Sequence, residues 1–208
     1  MVTKKQRSKQ SFSDVKSFSD LLDTFYLYFE GKIAYLPHYR GKLCADTIAQ
    51  LDLIKEINRL GFLSVDSQNG LSEHLPSTIQ SETNFCQKQR AYIEGFLPAE
   101  RAVAFIDQFN QMDLIANIVE VGVNCSDSQS SGIAVTMHSW IENNEYKIEF
   151  PTHIHLDGDG YDTWGSILMW ISPDANIDKI YYIQLIDPIW GRKDFLLQTM
   201  INILQVNK

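Results

Sequence analysis

The sequence predicts a single domain of the mixed α+β (α/β) class, with helices flanking a central mixed sheet of about five to seven strands. Stretches with apolar residues three and four positions apart, typical of helices, alternate with short β-branched stretches, typical of strands. A length of 208 residues and a hydrophobic content of 44% suit one domain with a sizeable core. We find no internal repeat, which favours one continuous fold over a repeat architecture.

The N-terminal part predicts a tail followed by two helices. Residues 1–16 are polar and predict a flexible tail, so the domain is expected to span residues 17–208. A helix begins at Ser17 and ends at Gly31, because apolar residues recur at helical spacing between them. Asp46 is a good N-cap for a second helix, and Gly61 closes that helix.

The middle of the chain predicts two short strands and a third helix. Residues 62–66 alternate between apolar and polar side chains, and residues 89–96 are also strand-like. The polar stretch 69–86 is expected to be a loop. Pro98 opens a helix that buries one apolar face. The inward residues of this helix are Ala102, Phe105, Ile106 and Phe109.

The C-terminal part predicts further strands, a short helix and a closing helix. The β-branched stretch 180–186 is the clearest core strand, and an apolar helix follows it. We expect this last helix to direct Phe195, Leu196, Met200, Ile203 and Leu204 inward. The remaining elements are a strand at 115–123, a loop at 124–131, a hairpin of 133–140 with 146–150, and a short helix at 163–171.

Composition excludes several classes of protein. The formal net charge of −8 disfavours nucleic-acid binding, and no apolar run reaches the ~20 residues of a membrane span. The three cysteines, Cys44, Cys86 and Cys125, lack the paired spacing of a disulfide framework or a zinc site. The N-terminus lacks the apolar segment of a signal peptide. We therefore expect a cytoplasmic protein with neither a membrane nor a nucleic-acid partner.

Glycine-rich nucleotide loops and nucleophile elbows are absent from the sequence. One local cluster, residues 152–160, contains His153, His155, Asp157 and Asp159. It fails as a calcium loop, and its two histidines lack a third zinc ligand at a recognisable spacing. A polar loop is favoured over a metal site, so no metal is expected.

Three stretches, taken in order and spacing, resemble the C-terminal regulatory domain of eukaryotic methylenetetrahydrofolate reductase. The first runs from Leu36-Pro37 through Thr47 to the segment Ile57–Gln68, and the second is Gln-Arg-Ala-Tyr-Ile-Glu-Gly-Phe at 89–96. The third joins Ala-Val-Thr at 134–136 to Phe-Pro-Thr at 150–152. The resemblance covers roughly residues 25–205 and implies a domain that binds S-adenosylmethionine or S-adenosylhomocysteine as an allosteric ligand.

The resemblance implies six ligand contacts, each with an acid or a hydroxyl. Such groups could pair the ligand's ammonium or meet its carboxylate and ribose hydroxyls. Each residue also has an ordinary structural role open to it, as a helix cap, strand residue or turn former. The implied contacts are Asp46, Thr47, Ser64, Ser67, Thr136 and Thr152.

The sequence departs from the reductase family in ways that bear on function. A catalytic barrel needs ~250 residues, and only about 40 precede the first matching motif at Leu36-Pro37, so flavin and folate chemistry are not implied. The family's pocket-forming linker is missing or replaced by residues 1–34, and His38 stands where the family has Trp. We therefore expect a stand-alone, non-enzymatic sensor or regulatory domain, with a homodimer or a regulated protein as possible partner.

Two alternatives stay open. The chain could be a protein-interaction module that keeps the fold and has lost the ligand. Less favoured is an enzyme that uses His153, His155, Asp157 or Glu94 as an acid, base or metal ligand, because no catalytic constellation is complete.

Overall fold

The computed structural model describes residues 3–39, 43–71, 85–109, 111–121, 132–142, 145–154, 159–177 and 179–206. These residues form seven helices and seven strands. The helices are α1 (Lys4–Ser13), α2 (Phe18–Phe29), α3 (Ala45–Ala49), α4 (Leu51–Arg59), α5 (Ala99–Phe109), α6 (Asp159–Leu168) and α7 (Phe195–Val206). The strands are β1 (Leu63–Gln68), β2 (Phe85–Gln89), β3 (Tyr92–Pro98), β4 (Ile115–Glu120), β5 (Ile133–Glu142), β6 (Glu145–Ile154) and β7 (Ile180–Ile186).

The strands form two antiparallel sheets, one of four strands in the order β1-β3-β7-β4 and one of three in the order β2-β5-β6. The predicted α+β class is confirmed, but two sheets replace the single central mixed sheet. The chain changes sheet between β2 and β3. The amide of Arg90 donates to Val135 O of β5, whereas Ala91 O accepts from the Asp187 amide after β7. Neighbouring backbone groups thus bond to different sheets.

The hydrophobic core lies between the four-stranded sheet and the helices. Helix α5 packs against β3, β4 and β7, while α2 and α4 pack against β1 and α7 packs on α4. Full burial of a large apolar side chain stabilises the fold by about 1.5–3 kcal/mol. Fully buried members from different elements include Phe25, Phe62, Phe96, Phe105 and Ile183.

Helix α1 stands where the sequence predicted a flexible tail. Thr3 caps it through a capping box with Gln6, which satisfies two backbone donors at its start. Phe12 is fully buried and forms T-shaped ring contacts with Phe25 and Trp170. The prediction failed because only two apolar residues, Phe12 and Val15, anchor this helix to the core. Two residues are too few to show the apolar periodicity of a helix in a polar stretch.

The second predicted helix divides into α3 and α4 at Gln50. The N-cap is Cys44, whose thiol accepts a hydrogen bond from the Thr47 amide. The prediction that Asp46 caps this helix is therefore wrong, and Asp46 lies in the first turn of α3. Gly61 does follow α4 with a φ of 94°, and Gly31 follows α2 with a φ of 72°, as predicted from the glycine stops.

Most remaining elements match their predictions within a few residues. The hairpin is β5 and β6, the core strand is β7, and α5 buries its four predicted residues. The closing helix α7 buries four of its five predicted residues, but Phe195 is 40% exposed. The Arg192 guanidinium lies 3.7 Å above its ring, a cation–π contact that the helical period does not reveal. The predicted loop 124–131 and residues 72–84 of the predicted loop 69–86 lie outside the described residues.

Candidate functional site

A cavity of about 150 Å³ lies between α2, α3, α4 and β1. Its lining combines apolar and aromatic side chains with hydroxyl groups. Its walls are mostly built from elements that the core already fixes, which favours a preformed site. The lining residues are Tyr28, Phe29, Leu36, Tyr39, Leu43, Cys44, Thr47, Ile54, Ser64, Val65, Asp66 and Ser67.

A β-bulge in β1 brings two of the predicted hydroxyl residues to the cavity. In a regular strand, Ser64 and Ser67 would point to opposite faces, because side chains alternate with a period of two. The register of β1 against β3 shifts between Ser64 and Asp66, which adds one residue at Val65. Ser64 and Ser67 are consequently both buried and both line the cavity.

Thr47 reaches the cavity from the first turn of α3. Its hydroxyl lies 3.0 Å from the Cys44 sulfur, and Cys44 is an exposed free thiol. Sulfur is a weak hydrogen-bonding partner, so a ligand oxygen could replace it at small cost. The Thr47 hydroxyl is therefore available for recognition.

Tyr28 supplies an aromatic wall with a neutral hydroxyl. Burial, with smaller contributions from the nearby Tyr39 and Cys44, raises its pKa to about 12. The phenol thus stays protonated over the physiological range, able to donate or accept a hydrogen bond. Tyr39 lines the same cavity and is 41% exposed.

A second cavity, of about 400 Å³, adjoins the first and shares Tyr39, Val65 and Asp66 with it. Carboxylates from three elements line this second cavity: Asp66 of β1, Glu94 of β3 and Asp162 of α6. Its other lining residues are His38 and Thr163. Among the described residues that line the two cavities, none is a lysine or an arginine.

Hydrogen bonds fix two of these carboxylates. Glu94 is buried and accepts from the Tyr182 hydroxyl at 2.7 Å and from the Gln184 amide at 2.9 Å. Asp66 accepts from the Tyr92 hydroxyl at 3.1 Å and from the Ser67 amide at 2.8 Å. Burial and the neighbouring Asp66 raise the pKa of Tyr92, which keeps this phenol a donor.

His38 lines the second cavity as a neutral imidazole. Its ring stacks on Phe25 with centroids 5.9 Å apart, and burial lowers its pKa to about 4. Its Nε2 lies 3.4 Å from Val65 O, so that nitrogen carries the proton if the contact is a hydrogen bond. The Nδ1 atom, then an acceptor, is buried without a hydrogen-bond partner among the described residues.

The structure places five of the six predicted contacts in two groups. Thr47, Ser64 and Ser67 line the first cavity together. Thr136 and Thr152 face each other across β5 and β6 in the three-stranded sheet, where Thr136 is buried and Thr152 is exposed. Neither of these two is among the residues that line the cavity. Asp46 lies in α3 beside Thr47, and its side chain is outside the described part of the structure.

The His/Asp cluster is only partly described. His153 is an exposed residue of β6, while His155 and Asp157 lie outside the described residues. Within the described ranges, no three His, Cys, Asp or Glu residues are grouped so that they could hold a metal ion. None of the helices described there is both long and apolar enough to cross a membrane.

A comparison with protein-family models matches residues 7–207 to a family described as a domain of unknown function (DUF6919). The chain belongs to the DUF6919 family. The match covers nearly the whole chain, including most of α1, so both cavities lie within the family's domain. A search of curated proteins found no match to the chain.

Sequence reasoning missed several residues that line the two cavities. Tyr28 and Tyr39 were not singled out, because nothing in their spacing separates a cavity wall from a core contact. Asp66 lies in the segment Ile57–Gln68 that carries the resemblance, but the resemblance gives it no role, and Glu94 was considered only for catalysis. The bulge in β1 was also missed, because residues 62–66 alternate as in a regular strand.

Proposed function

We propose that this DUF6919 chain is a non-catalytic sensor or regulatory domain that binds S-adenosylmethionine or S-adenosylhomocysteine. One observation carries the proposal: Thr47, Ser64 and Ser67, reached independently through a sequence resemblance, line one cavity. The three residues come from α3 and from both sides of the bulge in β1, so chain proximity alone does not explain their meeting.

The walls of the cavity suit a nucleoside joined to an amino acid. Tyr28, Phe29 and Leu36 offer aromatic and apolar surface on which a purine can pack. The hydroxyls of Thr47, Ser64 and Ser67 can donate to and accept from ribose and carboxylate oxygens. A mostly apolar pocket with a few convergent polar groups is the usual form of a small-molecule site.

Ligand-induced stabilisation tests this proposal. Either compound at 100 times its dissociation constant should add about 2.7 kcal/mol to the free energy of unfolding, which raises Tm by about 5–10 °C. Thr47→Val and Ser67→Ala should reduce the shift, while Thr199→Val, in α7 and away from the cavity lining, should leave it intact. No shift with either compound at millimolar concentration would refute ligand binding.

Thr136→Val then decides whether the three-stranded sheet takes part. A reduced Tm shift would mean that ligand binding brings this sheet to the cavity, as the resemblance implies. An unchanged shift would restrict the site to Thr47, Ser64, Ser67 and their neighbours. Both outcomes are compatible with the sensor role and differ in the extent of the site.

A protein-interaction module is the second candidate, favoured by exposed apolar residues at the end of α6. Leu168 is 50% exposed and Met169 is 74% exposed. The same helix contributes Asp162 to the second cavity, so a partner at its far end could respond to a ligand. Sedimentation of wild type and Met169→Lys tests whether this end mediates a homodimer. Both proposals include that the protein is soluble and cytoplasmic.

A further inference from the structure

A group of basic and apolar residues outside the lining of the two cavities has no assigned role. It lies on the segment that follows β7 and at the end of β2. Ile189 is 46% exposed and Phe195 is 40% exposed, while Trp190 is half-buried. Large apolar side chains that are exposed together are typical of an interaction surface. The members of this basic aromatic surface are Lys88, Arg90, Ile189, Trp190, Lys193 and Phe195.

Cations stack on the aromatic rings of the basic aromatic surface. The Lys88 Nζ lies 5.2 Å from the centre of the Trp190 ring, and the Arg90 guanidinium carbon lies 4.4 Å from it. The Arg192 guanidinium carbon lies 3.7 Å from the centre of the Phe195 ring. Such cation–π contacts orient the rings and leave the positive charges in place.

Basic residues outnumber acidic ones in this part of the molecule. Residues 88–90 and 187–195 contain two lysines and two arginines against two aspartates, in a chain with 26 acidic and 18 basic residues. Among the described residues, Lys88 and Lys193 have no carboxylate within ion-pair distance. The basic aromatic surface is therefore a local exception to the acidic character of the chain and attracts negative charge.

Hydrogen bonds hold the segment 187–195 in place. The Gly191 amide donates to Gln89 O at 2.8 Å. The buried Asp187 carboxylate accepts two bonds from the Arg192 guanidinium, at 2.6 Å and 2.7 Å. Because the segment is already fixed, it loses little conformational entropy when a partner binds.

We infer that the basic aromatic surface binds a segment of a partner protein that is rich in Asp and Glu and also carries apolar side chains. The acids of that segment pair with Lys88 and Lys193, and its apolar groups pack on Ile189 and Trp190. A nucleic acid is disfavoured, because the chain's net charge of −8 repels a long polyanion. This inference goes beyond the proposed function and does not depend on a nucleoside ligand.

Fluorescence anisotropy of the full chain with two pools of short synthetic peptides tests the inference. One pool combines Asp and Glu with Leu and Phe in random order, and the other has Asn and Gln in place of the acids. The acidic pool should bind at least about fivefold more tightly at ~0.05 M salt, and this advantage should shrink at ~0.5 M salt.

Charge reversal on the surface supplies the matched variants. Lys88→Glu and Lys193→Glu should each weaken binding of the acidic pool by about fivefold to tenfold. Lys193 is exposed, so its substitution leaves folding intact. Ile189→Ser should weaken both pools, because it removes apolar contact area. Lys9→Glu, the same charge change at an exposed position of α1, is the control and should change neither affinity.

Several outcomes would overturn this inference without touching the ligand site. They are equal binding of the two pools, no binding of the acidic pool at millimolar concentration, and binding that Lys88→Glu and Lys193→Glu both leave unchanged. Tighter binding of a single-stranded oligonucleotide, weakened by the same two variants, would assign the surface to nucleic acid instead. A wild-type dimer that Lys193→Glu dissociates in sedimentation would assign it to a second copy of the chain.

Discussion

At the scale of single residues, His38 combines an apolar contact with an acidic surrounding. Its ring stacks on Phe25, while Asp66, Glu94 and Asp162 line the cavity that it faces. Burial favours the neutral imidazole and lowers the pKa to about 4, against an ordinary value of 6.5. The folded state therefore resists a protonation that the unfolded chain accepts readily.

This difference predicts a loss of stability in mild acid. Between pH 6.5 and pH 4 the unfolded chain binds more protons at His38 than the folded protein, so stability falls as the pH falls through this window. The loss attributable to His38 should reach about 2 kcal/mol at pH 5, relative to pH 7.5. Urea unfolding at both pH values checks it: His38→Phe should remove most of this loss, because phenylalanine keeps the stack and does not titrate.

The matched control is His153→Phe at an exposed position of β6, where the pH dependence should stay that of wild type. If His38→Phe and wild type lose equal stability between pH 7.5 and pH 5, the depressed pKa of His38 is wrong.

At the scale of elements, helix α1 supports the segment that leads into the cavities. The hydroxyl of the buried Ser8 accepts from the amides of Ala34 and Tyr35, just before Leu36 enters the first cavity. Phe12 anchors the same helix against Phe25. The N-terminal helix thus belongs to the folded domain, in place of the tail that its polar composition predicted.

Phe12→Ala separates these two descriptions. Removing a fully buried aromatic ring from the core should cost about 3–5 kcal/mol, whereas the same change in a solvated tail would cost almost nothing. Urea unfolding measures the difference in free energy. Phe195→Ala, which truncates a ring that is 40% exposed, is the control and should cost about 1 kcal/mol or less. A cost below about 0.5 kcal/mol for Phe12→Ala would restore the flexible tail.

The pairing of β1 with β3 depends on a close approach at Gly95. A Cβ atom there would lie 2.2 Å from Leu63 O and 2.4 Å from the Phe62 ring, so the two strands could not keep their spacing. Gly95→Ala should therefore destabilise the protein by about 1–3 kcal/mol or more and disturb the bulge that positions Ser64 and Ser67. The Tm of the free protein and the ligand-induced rise in Tm should both decrease.

Gly165→Ala is the matched control, because nothing lies within 4 Å of its Cβ position in helix α6. It should stabilise the protein by about 0.5–1 kcal/mol through helix propensity. Destabilisation by both substitutions, or by neither, would contradict the close approach at Gly95.

Periodicity predicted the elements that rest on a full apolar stripe or a β-branched run, such as α5 and β7. Periodicity failed for elements that depend on a few contacts. Two buried apolar residues, Phe12 and Val15, anchor α1, and the Cys44 thiol caps the helix that Asp46 was expected to cap. For the site, the resemblance reached Thr47, Ser64 and Ser67, but the acidic cavity joins residues from β1, β3 and α6 that are distant in sequence. Only tertiary structure brings such residues together.

At the scale of the whole molecule, the two sheets differ in how much they contribute to the hydrophobic core. The four-stranded sheet carries core residues such as Ile93, Phe96 and Ile183. Among the side chains that the structure describes, the main hydrophobic core includes none from β5 or β6. The three-stranded sheet joins the rest through bonds around Arg90, whose guanidinium donates to Ala134 O and to Pro188 O. Among the described residues, the four-stranded sheet is thus built into the core, and the three-stranded sheet is bonded to it around Arg90.

This asymmetry predicts unequal protection from hydrogen exchange. Amides of β5 and β6 should exchange through local opening at a lower free energy than those of β3 and β7, whose protection should approach the global free energy of unfolding. Exchange followed by mass spectrometry in the native protein measures both sets, with the core strands as the internal reference. Equal protection would mean that the second sheet unfolds only with the whole domain.

Added ligand turns this difference into a test of how far the site extends. If Thr136 and Thr152 contact S-adenosylmethionine, as the sequence resemblance implies, saturating ligand should slow exchange in β5 and β6 more than in β3 and β7. The bound state would then require the second sheet to be in place, and ligand binding would be coupled to its local opening. Slowing confined to β1 and the segment around Thr47 would instead assign the ligand to the two cavities alone. In that case the three-stranded sheet would be free to serve another contact.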